Sequence, residues 1–233
     1  MRSNNASPFQ PEEPVKNPSD TRARVLAAEP RAVLFDLLTA LLDSAALWDA
    51  VAGGVEKGRP WRTAYLRNTY AAVAYRPYEQ LVREAACEVG LPEILADRLV
   101  GRYRELAPWP EVNEVLETLA RHVPLAVVTN CSETLGRVAV SRIGVAFDVV
   151  VTAERAGYYK PHPQPYSLAL EALGEPAETV LFVAGSPYDL FGATAIGMPV
   201  FWHNRLRMTA PPNAPAPLAQ HDNLYPLLQS VMR

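Results

Sequence analysis

The chain has 233 residues, 49% of them apolar and 20% charged, with a formal net charge of −3. The 22 Lys and Arg against 25 Asp and Glu give no global basic field, which argues against nucleic acid as a partner. No apolar run approaches the ~18–20 residues a membrane span needs, and two cysteines, Cys87 and Cys131, exclude a disulfide framework and a CxxC metal site.

Residues 1–29 are polar, contain several prolines and show no periodicity, so a flexible tail is expected there. They hold no apolar signal core, and a cytoplasmic location is the expectation. From residue 32 onward short apolar runs recur: 32–35, 124–128, 147–151, 180–184 and 199–202. The runs are continuous rather than alternating, as in strands buried on both faces. Helical patterns lie between the later runs, at about 111–121, 132–142, 163–173 and 187–196, and a last one at about 222–232 follows a Pro-rich loop over 210–217. Strand–helix alternation with short links predicts an α/β fold: a doubly wound parallel sheet with helices on both faces. The interval 44–110 differs. It carries helical patterns near 44–52, 61–75, 77–89 and 92–106 and no strand run. It is expected to be an all-helical cap inserted after the first strand. The expected division is then a core of 30–43 with 111–233 and a cap of 44–110.

Open α/β sheets bind ligands at the carboxyl ends of their strands. The first run ends in Asp36 and the second in Thr129-Asn130; Lys160 follows the third, and Gly185-Ser186-Pro187-Tyr188-Asp189 the fourth. A carboxylate can act as a nucleophile and form a covalent ester or acyl phosphate. A nearby lysine holds it ionised. Thr129, Asn130 and backbone amides can bind an anionic group, and Asp189 can anchor Lys160, hold a metal or position water. Leu37, Leu38, Trp48, Trp61 and Tyr65 can wall a dry pocket. Cys131 reads as a small buried thiol, and His122, His162 and His203 lack metal-ligand spacing.

The order Asp36, Thr129, Lys160, Asp189 resembles the haloacid dehalogenase superfamily. The segment from Asp36 to Ser44 is similar, without a gap, to its D-x-[D/Y]-G-T-L-x-D-[S/V] opening. Within the superfamily the chain most resembles the 2-haloacid dehalogenases, over about residues 31–206. Trp61-Arg62 is similar to the W-R pair on the cap of that family, and residues 103–108 to its return from cap to core. Residues 128–132 resemble L-S-N-G-S. Tyr159-Lys160-Pro161 with Tyr166 resembles the Y-K-P segment and its following tyrosine. Residues 182–189 and 201–205 resemble F-V-S-S-N-x-W-D and C-W-I-N-R.

The resemblance implies an aspartyl-ester hydrolase without a cofactor, acting on a small anionic 2-halocarboxylate, with homodimers common in the family. It assigns catalysis to Asp36, Lys160, Asp189 and Thr129, and contacts with substrate or halide to Arg62, Asn130, Leu38, Ser186, Tyr188 and Tyr166. Phosphatases of the superfamily place a second Asp where Leu38 stands, and a magnesium-binding Gly-Asp where Ala184-Gly185 stands. An Mg²⁺-dependent phosphatase or phosphonatase, with the ion on Asp36 and Asp189, is therefore the second expectation. The dehalogenase pattern is altered too: its Gly-Thr is Thr39-Ala40, its Ser and Asn are Ala184 and Ser186, and its Trp is Tyr188. The hydroxyls lost at 40 and 184 motivate a third expectation, a binding protein that kept the cleft without turnover.

Overall fold

The computed structural model describes residues 29–232; the expected tail lies, but for its last residue, outside this range. Six strands form one parallel sheet: β1 (Ala32–Asp36), β2 (Leu125–Thr129), β3 (Val149–Thr152), β4 (Val180–Ala184), β5 (Val200–His203) and β6 (Ala219–His221). Their spatial order is β3-β2-β1-β4-β5-β6. Val33 pairs with Leu125 on one side and Leu181 on the other. Alternate residues of β1 feed two apolar layers, which is why its run is continuous. Val33 and Phe35 join the larger cluster, which extends through Trp61, Tyr78 and Leu116. Ala32 and Leu34 join the smaller one with Phe182, Leu190 and Met198.

Between β1 and β2 the chain forms α1 (Ser44–Ala52), α2 (Val55–Ala72), α3 (Tyr78–Glu88), α4 (Ile94–Gly101), a 3₁₀ turn at Tyr103–Glu105 and α5 (Val112–Leu119). Asp43 caps α1, accepting from Ala46 N at 3.0 Å. The expected start of the second helix is corrected from 61 to Val55. Pro60 lies inside α2, close enough to its start to be accommodated, whereas its sequence signal reads as a stop. The expected helix over 92–106 is corrected to α4 plus the separate 3₁₀ turn. Later come α6 (Glu133–Val140), α7 (Ala153–Ala156), α8 (Pro163–Leu173), α9 (Asp189–Ala195) and α10 (Tyr225–Val231).

Two elements were not expected. The single turn α7 is made by the Thr152 cap on Arg155 N and stopped by Gly157 at φ 74. The edge strand β6 carries no apolar run. It is recruited through its backbone, with Asn204 N donating to His221 O at 2.7 Å. Strand order reverses between β1 and β4, so the crevice at their carboxyl ends is the switch point at which such sheets bind ligands. Asp36 and residues 185–189 flank it. No helix among the described residues is long and apolar enough to cross a membrane.

Candidate active site

Asp36 is the last residue of β1, and the chain then turns sharply, with Leu41 and Leu42 N–H both donating to Leu37 O. This turn aims the amides of Thr39 and Ala40 at Asp36 Oδ2, at 3.1 and 3.2 Å. Asp36 therefore caps its own loop. Its other oxygen is free of that duty and accepts from Lys160 Nζ at 2.8 Å. The same ammonium lies 2.9 Å from Asp189 Oδ1. The three residues are 7%, 2% and 1% exposed, so a cation sits between two carboxylates with almost no water.

Burial opposes the charge of Lys160, but the two carboxylates outweigh it and raise its pKa; the ammonium stays charged. Burial raises the pKa of Asp189, and Lys160 reverses this only in part. Asp189 Oδ2 also accepts from Ser186 N and Oγ, both at 3.3 Å.

Asn130 fixes where Lys160 stands. Its Oδ1 accepts from Lys160 N at 2.8 Å and its Nδ2 donates to Lys160 O at 3.1 Å. Much of the amide expected to bind substrate is thus engaged in holding the lysine backbone. The loop below Asp36 is braced from behind. Trp109 Nε1 donates to Thr39 O at 3.0 Å, and His203 Nδ1 donates to Ala40 O at 2.7 Å. Burial lowers the pKa of His203, which keeps the ring neutral.

Asp36, Lys160 and Asp189 line a cavity with about 30 Å³ of free volume. Leu38, Arg62, Thr129, Asn130 and Ser186 also line it. So do Trp48 and Tyr65, whereas Leu37 and Trp61 do not. The Trp61 N–H turns away to Val82 O at 2.9 Å. Arg62 Nη2 donates to Thr39 Oγ1 at 2.8 Å, and burial lowers its pKa from the usual arginine value. Thr129 donates to Cys131 Sγ at 3.6 Å. The Cys131 thiol itself is pushed up to about 12 by burial, so it is no nucleophile.

Two expected contacts lie elsewhere. Tyr166 is buried beneath the site, edge-on to Phe182 with ring centroids 5.3 Å apart, and does not line the cavity. Tyr188 faces outward and packs on Tyr70, centroids 4.3 Å apart. Tyr70 itself was missed. It lines the cavity, and its hydroxyl lies 3.1 Å from Ser186 Oγ. The available signal was spacing: Arg62, Leu66 and Tyr70 recur every four residues and form one stripe of α2, and all three line the cavity.

A model of the haloacid dehalogenase-like hydrolases matches residues 33–203, from the first residues of β1 to the end of β5. The chain belongs to this family. Over 190 residues this hydrolase is 32% identical to the (S)-2-haloacid dehalogenase H-109 of Pseudomonas putida, a match covering 74% of the chain and 85% of that enzyme. It is 40% identical over 113 residues to haloacetate dehalogenase H-2 of Moraxella sp. (strain B), covering 47% of the chain and 50% of that enzyme. Among solved structures, an L-2-haloacid dehalogenase superposes with a TM-score of 0.78 at 28% identity, covering 88% of the chain and all of the other.

The donor set does not suit magnesium. The space between Asp36 and Asp189 is taken by the Lys160 ammonium. A Cβ at residue 185 would lie 2.6 Å from Asp36 Oδ2 and 2.3 Å from Ala40 N, so a carboxylate does not fit there. Among the described residues no group of three or more His, Cys, Asp or Glu side chains is placed to hold a metal, and a hard cation depends on such oxygens.

Proposed function

We propose that the chain hydrolyses the carbon–halogen bond of small 2-halocarboxylates through an ester on Asp36, without a metal. The observation that carries this reading is the buried Asp36–Lys160–Asp189 triad opening on a cavity with Arg62 at its wall. The matched relatives named as haloacid and haloacetate dehalogenases support it. Residues 44–110 act as the cap and residues 30–43 and 111–233 as the core, with the cavity between them. With room for about two water molecules, the narrow cavity suits the shortest halocarboxylates and widens by cap movement for entry.

An Asp36 oxygen attacks the carbon bearing the halogen from the side opposite the leaving group. The new C–O bond forms as the C–X bond breaks, and the halide leaves with its electron pair. Arg62 receives the substrate carboxylate or the departing halide, and excluded water strengthens that contact. Asp189, whose raised pKa suits a base, then takes a proton from water as the water oxygen adds to the Asp36 carboxyl carbon. Lys160 and the loop amides hold the oxyanion. Collapse restores Asp36 and releases the 2-hydroxy acid, which takes up one of the water's protons; the other goes to solvent.

The test is halide release from racemic 2-chloropropionate with EDTA present, followed by a single turnover in H₂¹⁸O with enzyme in excess. Release is expected to persist in EDTA and to fall at least about 10³-fold in Asp36→Asn, and the label is expected in Asp36. Label found only in the hydroxy acid would mean direct displacement by water and would overturn the ester.

A further inference from the structure

A second cavity, of about 400 Å³, adjoins the inner one. The two share Arg62 and Leu66, so one turn of α2 is the partition between them. The outer cavity is also lined by Asp49 from α1, Arg59 from α2, Tyr188, and Arg207 and Met208 from the loop after β5. Its charged lining is thus three arginines against one aspartate.

Across α2–α4 and the following turn, Arg67, Arg76, Arg83 and Arg102 each pair with a carboxylate, while among the described residues Arg98 and Arg104 do not but line neither cavity. Among the described residues, Arg59, Arg62 and Arg207 make no ion pair within 4.0 Å.

The loop that presents Arg207 is also built at a conformational cost. Arg207 sits at φ 50, in the left-handed region a non-glycine residue rarely adopts. It is held there by Asn204, whose carbonyl accepts from Arg207 N at 3.1 Å. The Asn204 side-chain amide clamps Met208, accepting from its N–H at 2.7 Å and donating to its carbonyl at 2.9 Å. A strained position braced from both sides, carrying an unpaired cation at the mouth of a cavity, marks a functional constraint.

We propose that the outer cavity is an anion antechamber. Arg59 and Arg207 capture the carboxylate of the incoming substrate ahead of the narrow inner site, pass it to Arg62 across the Leu66 partition, and take the halide out by the same route. This rests on the dehalogenase reading for the identity of the anion. The antechamber itself requires only that a small carboxylate reach the inner cavity.

The experiment compares the double variant Arg59→Gln/Arg207→Gln with wild type and with Arg98→Gln/Arg121→Gln, a charge-matched control at two exposed arginines that line neither cavity. Two readouts are taken at about 20 mM and about 500 mM ionic strength. The first is kcat and KM for 2-chloropropionate. The double variant is expected to lose about 10-fold in kcat/KM at low salt with kcat unchanged, and to converge with wild type at high salt, where the charges are screened. The second is the association rate of unreactive propionate, followed by tryptophan fluorescence in stopped flow, since Trp48 lines the inner cavity. That rate is expected to fall by the same factor. Slower propionate association in a protein that releases no halide would uphold the antechamber while the dehalogenase reading fails. Association and kcat/KM equal to wild type at both salts, or a loss confined to kcat, would overturn the antechamber.

Discussion

Replacing Lys160 with methionine tests the charge arrangement on which the site depends. Nζ lies 2.8 Å from Asp36 and 2.9 Å from Asp189. At an effective dielectric of about 20 each contact is worth about 6 kcal/mol of attraction, set against a desolvation penalty of several kcal/mol per ion. Removing only the cation leaves two buried carboxylates facing each other, and breaking a buried pair in this way costs about 3–5 kcal/mol. That is a large part of a typical 5–15 kcal/mol of stability. The loss depends on pH in a defined sense. Burial and the neighbouring Asp36 charge raise Asp189, and with Lys160 gone nothing opposes them, so the folded variant binds more protons than the unfolded chain. Its stability therefore falls as pH rises through that raised value and recovers below it. Urea unfolding followed by circular dichroism at pH 5 and pH 8 measures this. A destabilisation of about 3–5 kcal/mol at pH 8 that shrinks at pH 5 is expected, with halide release abolished at both. The double variant Lys160→Met/Asp189→Asn should regain stability but not activity. Wild-type stability for Lys160→Met at both pH values, or a further loss on adding Asp189→Asn, would refute the buried-triad reasoning.

Gly185→Ala places a methyl 2.3 Å from Ala40 N and 2.6 Å from Asp36 Oδ2, atoms that cannot swing aside. A stability loss of about 1–3 kcal/mol by urea titration and about 10²-fold lower kcat from misplacing the nucleophile are expected. Activity within a factor of two of wild type would contradict the packing. A thiol reagent at pH 8 should label the exposed Cys87 in the native protein and reach Cys131 only on unfolding, because Cys131 is buried and its pKa is near 12; two fast native thiols by absorbance titration would disprove this.

The fold was legible where burial is strongest. Five strands are continuous apolar runs because each packs on both faces, and their expected limits fall within two residues of those observed. The sixth, Ala219–His221, is a short exposed edge whose pairing is carried by backbone groups, and no side-chain pattern records that. Residues 55–60 were invisible as helix because Gly53-Gly54 precede them and Gly58 and Pro60 interrupt the pattern, although Pro60 falls early enough in α2 for the helix to hold.

Legibility of the candidate site followed from topology. In a parallel sheet all carboxyl ends share one edge, so Asp36, Thr129, Lys160 and Asp189 could be collected from strand ends before any side-chain direction was known. Where Tyr166 and Tyr188 point was not legible. Each is close in sequence to a residue of the triad or its loop, yet one turns under the sheet and the other out toward Tyr70. Tyr70 and the Arg62–Thr39 contact come from a helix whose placement depends on the packing of α1 through α3, and only the four-residue spacing along α2 hinted at them.

The altered motif residues look different once the loop geometry is known. Ala40 lacks a hydroxyl, but its contribution to Asp36 is a backbone N–H, which any residue other than proline supplies. Thr39 supplies the second N–H, and its hydroxyl turns instead to Arg62. What must be conserved physically is the aim of those two amides. It is fixed from behind by Trp109 on the Thr39 carbonyl and His203 on the Ala40 carbonyl. A carbonyl only accepts, so His203 must carry its proton on Nδ1, and the burial that keeps the ring neutral leaves that tautomer in place. The nucleophile is thus held by peptide groups whose orientation is set from the far side of the loop, and side-chain departures at 39 and 40 leave its donors intact.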